Sequence, residues 1–190
     1  MAKRIITKAT FLLIFFTSFS LLLANEKDSI EKDEKKFIPE PTSFVTEHEG
    51  MFGGKSIKYR ISAGETYLRD KDGEPKASIF TFAYTKVNVD AGEVRPVTFL
   101  WNGGPGSAST LLHMGIYGPK RISVPSNAEH SGAPPYPVLA APETILDVTD
   151  LVFVDPVGTG FSRALGEHDS KEFWGLKEDA KSMAEFIRTW

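Results

Sequence analysis

Residues 97–106 read VTFLWNGGPG, and this stretch decides the fold. It begins with an apolar run, Val97 to Trp101, in which polar and apolar side chains do not alternate. Runs of this length are typical of strands that are buried on both faces of a parallel sheet. Asn102 and a glycine-rich turn follow directly, and glycine allows the backbone to approach a ligand closely. The pattern therefore predicts a buried strand whose carboxyl end presents backbone N–H groups.

Three interpretations of this turn compete: a structural tight turn, a phosphate-binding loop and an oxyanion hole. A phosphate-binding loop is disfavoured because no Lys-Ser or Lys-Thr pair closes the turn and the G-x-G-x-x-G spacing is absent. An oxyanion hole fits the α/β-hydrolase design, in which the loop after the third strand supplies one backbone donor. Taken alone, the stretch does not separate an oxyanion hole from a plain turn.

A second stretch with the same organisation, LVFVDPVGTGFSRA, spans residues 151–164. Its apolar run ends in Asp155, and a second glycine-rich loop follows as far as Ser162. Two glycine-rich loops that leave the same end of one sheet favour a functional site over two unrelated turns.

The segment that precedes the first stretch predicts antiparallel structure. Residues 42–100 have the composition of a β-meander. Lys55 to Ala63 alternates between polar and apolar side chains, which is the pattern of a half-buried strand, and Glu65 to Arg69 is a second short candidate.

The segments around the second stretch predict helices and loops. A helical segment is expected near Thr110 to Ile116, and the proline-rich residues 134–144 predict no regular structure before Ile145. Residues 173–190 predict an amphipathic helix, whose apolar stripe consists of Leu176, Ala180, Met183, Ala184, Phe186, Ile187 and Trp190. A meander, two buried strands with crossovers and a helix are the order expected in the front half of an α/β sheet enzyme.

The N-terminal residues have the pattern of a secretory signal. Lys3, Arg4 and Lys8 precede an apolar run from Phe11 to Leu23, and this run is shorter than the roughly 20 residues of a membrane span. We interpret residues 1–24 as a signal peptide.

A charged leader follows at residues 25–41, and residues 42–190 are expected to form the N-terminal part of the α/β domain. The 190-residue chain contains no Cys, which excludes disulfides, thiolate metal sites and a Cys nucleophile. Export to a bacterial periplasm or to the exterior is predicted. The formal net charge of −3 gives no indication of nucleic-acid binding, and no stable association with a membrane is expected after signal cleavage.

Three motifs together resemble the serine carboxypeptidase family, which comprises secreted α/β-hydrolases that remove C-terminal residues from peptides. They are NGGPG at residues 102–106, Gly118-Pro119, and VDPVGTGFS at residues 154–162, in the family's order. The resemblance covers about residues 50–190. It implies an α/β fold, the N-terminal part of an α/β-hydrolase sheet, incomplete within this chain, and a peptide substrate with a free C-terminus.

The resemblance also implies roles for individual residues. Gly103 and Gly104 match the glycines of the oxyanion loop, and the backbone N–H of Gly104 is the expected donor to the tetrahedral intermediate. Asn102 matches the residue that binds the terminal carboxylate of the substrate. The second loop matches a segment that shapes the floor of the pocket, with no catalytic role. No cofactor and no metal are predicted.

Three positions depart from the family pattern. Trp101 is adjacent to Asn102, whereas the family has one residue between them; Ser107 replaces a Cys; and Ile116 stands where an acidic residue usually helps to hold the carboxylate. The loss of this acidic residue leaves an esterase or acyltransferase on the same scaffold as an alternative.

No Ser in the sequence satisfies the G-x-S-x-G nucleophile elbow. Ser162 comes nearest, but it lies seven residues past Asp155 at the strand end, so it does not occupy a sharp strand-to-helix turn. We expect the catalytic Ser, Asp and His to follow Trp190, and the 190-residue chain alone to be inactive. A non-catalytic exported binding module is a further alternative. His48 and His168 are expected at the surface, His130 lies in the proline-rich stretch without expected regular structure, and His113 is expected to pack or cap.

Overall fold

The central sheet joins an antiparallel meander to a parallel pair of strands. The computed structural model describes residues 37–103, 106–127 and 129–190, and Ile38–Trp190 forms one compact unit. The predicted signal peptide and most of the predicted charged leader lie outside the described residues. The strands are β1 (Ser43–Phe52), β2 (Lys55–Arg69), β3 (Pro75–Lys86), β4 (Val97–Leu100), β5 (Lys120–Ile122), β6 (Val138–Ala140), β7 (Asp150–Val154) and β8 (Arg163–Ala164).

The strand order in the main sheet is β1-β2-β3-β7-β4, and β8 pairs with β3. The β4–β7 pair is parallel and the other pairs are antiparallel. Helical elements are a π-helical turn (Leu112–Tyr117), two 3-10 turns (Ile145–Asp147 and Ser170–Phe173) and α1 (Leu176–Thr189). Within the described ranges, no helix is long and apolar enough to cross a membrane.

The predicted meander is confirmed, with one correction to its strand limits. β2 continues as a single strand through Gly64 to Arg69, whereas the sequence suggested two short strands. Gly64 does not interrupt the strand because it pairs with Ser43, and a Cβ at Gly64 would approach the Thr42 carbonyl oxygen to 2.7 Å. Glycine at this position therefore permits close contact between strands.

β7 is the only strand of the parallel pair that is buried on both faces, because consecutive side chains point to opposite sides of the sheet. Val152 and Val154 belong to a core cluster with Met183 and Phe186 of α1. Leu151 and Phe153 belong to the cluster on the opposite face. β4 differs from the prediction, since its residues are half-buried or exposed; it is the last strand in the order of the main sheet.

The proline-rich region contains structure that the sequence did not predict. Val138–Ala140 forms β6, which pairs antiparallel with β5 in a separate two-stranded sheet. The prediction of no regular structure before Ile145 was wrong because prolines flank β6, at Pro137 and Pro142, and leave its three residues free to pair.

Helix α1 is present as predicted, but its buried side is narrower than the predicted stripe. Met183 and Phe186 are buried, and the Phe186 ring packs edge-on against Phe99 of β4, with 6.0 Å between ring centroids. Leu176 is 91% exposed, and Ala180, Ala184, Ile187 and Trp190 are exposed as well. The predicted apolar stripe is therefore only partly buried, because the helix meets the sheet along one edge of its apolar side.

A buried ion pair joins the start of β7 to the segment that leads into β4. Arg95 Nε donates to Asp150 Oδ1 at 2.6 Å, and the side chains are only 7% and 14% exposed, respectively. The Arg95 guanidinium also donates to the carbonyl oxygens of Leu146 and Asp147, and Asp150 accepts the Lys86 amide at 3.0 Å. The polar groups of both partners are therefore satisfied where three segments meet.

We expect Arg95→Ala to lower the free energy of unfolding by about 3 to 5 kcal/mol, because it leaves the Asp150 carboxylate buried without its cation. Urea unfolding at neutral pH, followed by circular dichroism, measures this change. Arg60→Ala is the matched control, since Arg60 pairs with Glu47 at 2.9 Å in an exposed position. Its expected effect is below about 1 kcal/mol. Equal effects of the two substitutions would contradict the structural role of the buried pair.

Candidate functional site

Two glycine-rich loops leave the same edge of the sheet. β4 and β7 run parallel, with Phe99 opposite Val152 and Leu100 opposite Phe153, so their carboxyl ends lie side by side. We call residues 101–109 the first glycine loop and residues 155–162 the second glycine loop. The prediction that both leave one end of one sheet is confirmed.

The first glycine loop contains two described glycines that differ in what they require. Gly106 has φ of +90°, a conformation that favours glycine. Gly103 has no positive φ, and a Cβ placed on it would meet no atom of the described residues within 4 Å. Packing within the described chain therefore gives no reason for glycine at position 103, whereas close approach by a ligand would give one. Gly104 lies outside the described residues.

Ser109 holds the far end of the first glycine loop. Its side chain is 2% exposed, and its hydroxyl donates to the carbonyl oxygen of Val154 and accepts the backbone N–H of Asn102 at 3.3 Å. The Ser109 carbonyl accepts the His113 amide at 2.9 Å, which starts the helical segment after the loop. One serine thus closes the loop on itself and ties it to β7.

The second glycine loop is folded around Ser162, which is 4% exposed. The Ser162 hydroxyl donates to the Asp155 carbonyl at 2.6 Å and accepts the Phe80 amide of β3 at 2.7 Å. Its backbone carbonyl accepts the Gly158 amide at 3.1 Å. Because its hydroxyl is buried and satisfied on both sides, Ser162 is not placed as a nucleophile.

Asp155 contacts both loops. Its Oδ1 accepts the Ser109 amide of the first loop at 2.8 Å, and its Oδ2 accepts the Phe161 amide of the second loop at 3.4 Å. The residue is 7% exposed. Burial raises the pKa of the Asp155 carboxyl, and the two amide hydrogen bonds act in the opposite direction. The Asp155 side chain is thus a buried acceptor that links the two loops at the sheet edge.

Asn102 is half-buried between the strand and the turn. Its Oδ1 is buried and has no hydrogen-bond partner in the part of the chain that the structure describes. A buried, unpaired amide oxygen costs free energy until a donor reaches it. Asn102 therefore brings an acceptor oxygen without a partner among the described residues to the start of the first glycine loop.

His113 is buried directly after the first glycine loop, as the sequence predicted for a packing residue. Its Nε2 and the Tyr84 hydroxyl lie 2.6 Å apart, and its ring stacks on Phe153 with 4.6 Å between centroids. Burial lowers the pKa of His113 from 6.5 to about 4 and raises the pKa of Tyr84. The ring is thereby engaged in packing the helical segment against β3 and β7.

The sequence identified the loops but not the groups that hold them. Asp155 was seen only as the end of a strand, and Ser109 and Tyr84 were not singled out. An acidic residue directly after an apolar run is a signal that could have pointed to Asp155. Ile116 lies in the π-helical turn and is 50% exposed. Within the described ranges, no group of three or more acidic or His side chains is arranged to hold a metal ion.

The sheet and its two loops define a partial α/β fold with a hydrolase-like scaffold. The structure is similar to that of Kex1(delta)p, a prohormone-processing carboxypeptidase from Saccharomyces cerevisiae, with a TM-score of 0.51 and 28% sequence identity. The match covers 69% of this chain and 27% of that protein, so the chain spans about a quarter of its length. The predicted α/β fold class is confirmed. No family model and no curated protein matches the sequence.

The lowered pKa of His113 predicts a pH dependence of stability. As the pH falls from about 6.5 towards 4, the unfolded chain takes up a proton at this residue and the folded chain does not. Stability contributed by neutral His113 is present above pH 6.5 and is lost through this window, by up to about 1.4 kcal/mol per pH unit. We expect His113→Phe to flatten this part of the profile, measured by urea unfolding at several pH values.

Tyr84→Phe is the matched control for this measurement. It removes the hydroxyl that contacts His113 but leaves the His113 ring packed against Phe82 and Phe153. The free energy of unfolding should fall at every pH while the slope between pH 6.5 and pH 4 persists. An unaltered slope in His113→Phe would show that another group causes the pH dependence.

Proposed function

We propose that this chain forms the oxyanion-binding part of an exported serine-type carboxypeptidase, which releases C-terminal residues from peptides. The observation that carries the proposal is the first glycine loop, which leaves the carboxyl end of β4 beside a second loop and contains a glycine that its own packing does not explain. The likeness to a carboxypeptidase supports a hydrolase-like scaffold.

In the proposed reaction, the backbone amides of Gly103 and Gly104 donate to the oxygen that becomes negatively charged when the peptide carbonyl is attacked. Such donors act more strongly on the transition state than on the substrate, and one of them contributes about 3 to 4 kcal/mol. Asn102 binds the terminal carboxylate of the substrate by donating from the NH₂ group of its side chain. No cofactor is required for this chemistry.

The nucleophile belongs to polypeptide outside these 190 residues in this proposal, since the sequence has no G-x-S-x-G elbow. A Ser attacks the carbonyl carbon, and a His accepts its proton and later transfers it to the leaving amine. The proposal also includes a signal peptide at residues 1–24, a charged leader at 25–41 and the hydrolase domain from residue 42.

The activity is tested with the product of the complete open reading frame that encodes these residues. An N-blocked dipeptide with a free carboxylate is compared with its C-terminally amidated twin, and released amino acid or amide is quantified. A carboxypeptidase is expected to cleave the dipeptide with the free carboxylate faster than the amidated dipeptide. Labelling by a fluorophosphonate, which reacts with activated serines, should accompany this activity. Absence of both hydrolysis and labelling contradicts the proposal.

Gly104→Val should lower kcat by about 100-fold or more, because a branched side chain displaces the proposed donor amide. Ala91→Val is the control, since Ala91 is an exposed turn residue outside both loops. The two variants are compared by steady-state kinetics on the free-acid dipeptide. A kcat of Gly104→Val equal to that of the wild type would remove the oxyanion assignment.

Ile116 favours a second candidate, an esterase or acyltransferase on the same scaffold. In the family that the sequence resembles, an acidic residue at this position shares a proton with the substrate carboxylate. The aliphatic side chain of Ile116 has no group that could do so. An N-blocked amino-acid ester, added to the same assay, separates the candidates. Faster cleavage of the ester, together with no preference for the free acid over the amide, would favour the second candidate. Peptide binding without turnover would instead indicate a binding module.

A further inference from the structure

The Asp155 carboxylate lies between the two glycine loops and is the acceptor that both share. Its oxygens each face one backbone amide, Ser109 at 2.8 Å and Phe161 at 3.4 Å. The two amides are 52 positions apart in the sequence. Asp155 therefore links two separate loops of the sheet, rather than two residues of one turn.

The two amide donors explain why a carboxylate occupies position 155. An ionised Asp accepts on both oxygens, whereas Asn has one acceptor and one donor. Asn would therefore place its NH₂ group against the N–H of Ser109 or of Phe161. The carboxylate also depends on the glycine at position 160, because a Cβ there would overlap with Asp155 Oδ2.

The contact continues from Asp155 to the start of the first loop. Ser109, fixed by Asp155 through its amide, accepts the Asn102 amide on its hydroxyl at 3.3 Å. Asn102 directly precedes Gly103, so the direction of the next peptide group depends on how Asn102 is held. Two hydrogen bonds thus lead from a buried carboxylate to Asn102, the residue directly before Gly103.

We propose that Asp155 is a positioning residue, which fixes the first glycine loop against the second and thereby sets the direction of the Gly103 amide. Its effect on a reaction rests on the proposed function, whereas the link between the loops does not. Gly160 contributes to the same link between the loops, because the absence of a side chain there leaves the space that the Asp155 carboxylate occupies.

The link is tested by amide hydrogen exchange, measured by NMR on the full 190-residue chain. In Asp155→Asn, the amides of both glycine loops should exchange at least about tenfold faster, as expected when a charge-assisted hydrogen bond is lost. The amides of Ile61 and Tyr84, in the paired strands β2 and β3, should change little. Faster exchange in the second loop alone, or throughout the sheet, would overturn the proposal.

Gly160→Ala provides a second variant that keeps the carboxylate and its charge. The added methyl group overlaps with Oδ2, so the carboxylate must move and both loops should again exchange faster. Gly73→Ala is matched for backbone strain, because φ is +84° at Gly73 and +50° at Gly160. A Cβ at Gly73 meets no atom within 4 Å, and this control should leave both glycine loops unchanged. Equal loop exchange in the two variants would contradict the role of the displaced carboxylate.

Kinetics of the complete open-reading-frame product give a second readout, with the concentration of folded enzyme determined by fluorophosphonate titration so that partial unfolding does not lower the apparent kcat. Asp155→Asn should lower kcat by about 10- to 100-fold through misdirected amides, with KM changed less than about threefold. A rise in KM with unchanged kcat would overturn the positioning role. If the wild type shows no hydrolysis, the proposed function fails while the exchange experiment still decides the link; if hydrolysis is intact and the exchange is unchanged, only the link fails.

Discussion

The parallel pairing of β4 with β7 is the constraint on which the candidate site depends. Phe99 lies opposite Val152, and this register ends both strands at the same level of the sheet. A shift by one residue would turn the side chains of β4 to the opposite face and separate Phe99 from Phe186 of α1. Packing on α1 therefore specifies the register, and the register brings the two glycine loops together.

Buried polar groups fix the segments around this pair. Arg95 and Asp150 join the entrances of the two parallel strands, and Asp155 joins their exits. Tyr84 and His113 attach the helical segment after the first loop to the meander. Each of these groups has a local partner, which is the condition for placing charge or polarity in a low-dielectric interior. Polar interactions thus fix both ends of the β4–β7 pair, and apolar packing stabilises its middle.

The sequence predicted the features that depend on local patterns. Alternation revealed β2, uninterrupted apolar runs revealed β4 and β7, and the glycines placed the loops. The features that depend on contacts between residues distant in the sequence were not predicted. Gly64 resembled a strand end because its close neighbour, Thr42, is 22 positions away. Asp155 was recognised only as the end of a strand, because the Ser109 amide that it accepts belongs to another crossover. The burial of α1 was overestimated since periodicity does not reveal which part of an apolar side meets the sheet.

The Asp155 carboxylate occupies the space that a side chain at position 160 would need. This overlap also limits which substitutions the protein can accept during evolution. A side chain at position 160 needs a smaller group at position 155, and a smaller group at 155 leaves a gap and two unsatisfied amides while 160 remains glycine. Either single change is unfavourable, so the two positions should be replaced together. Among descendants of this gene, variation at one of these sites should be accompanied by variation at the other.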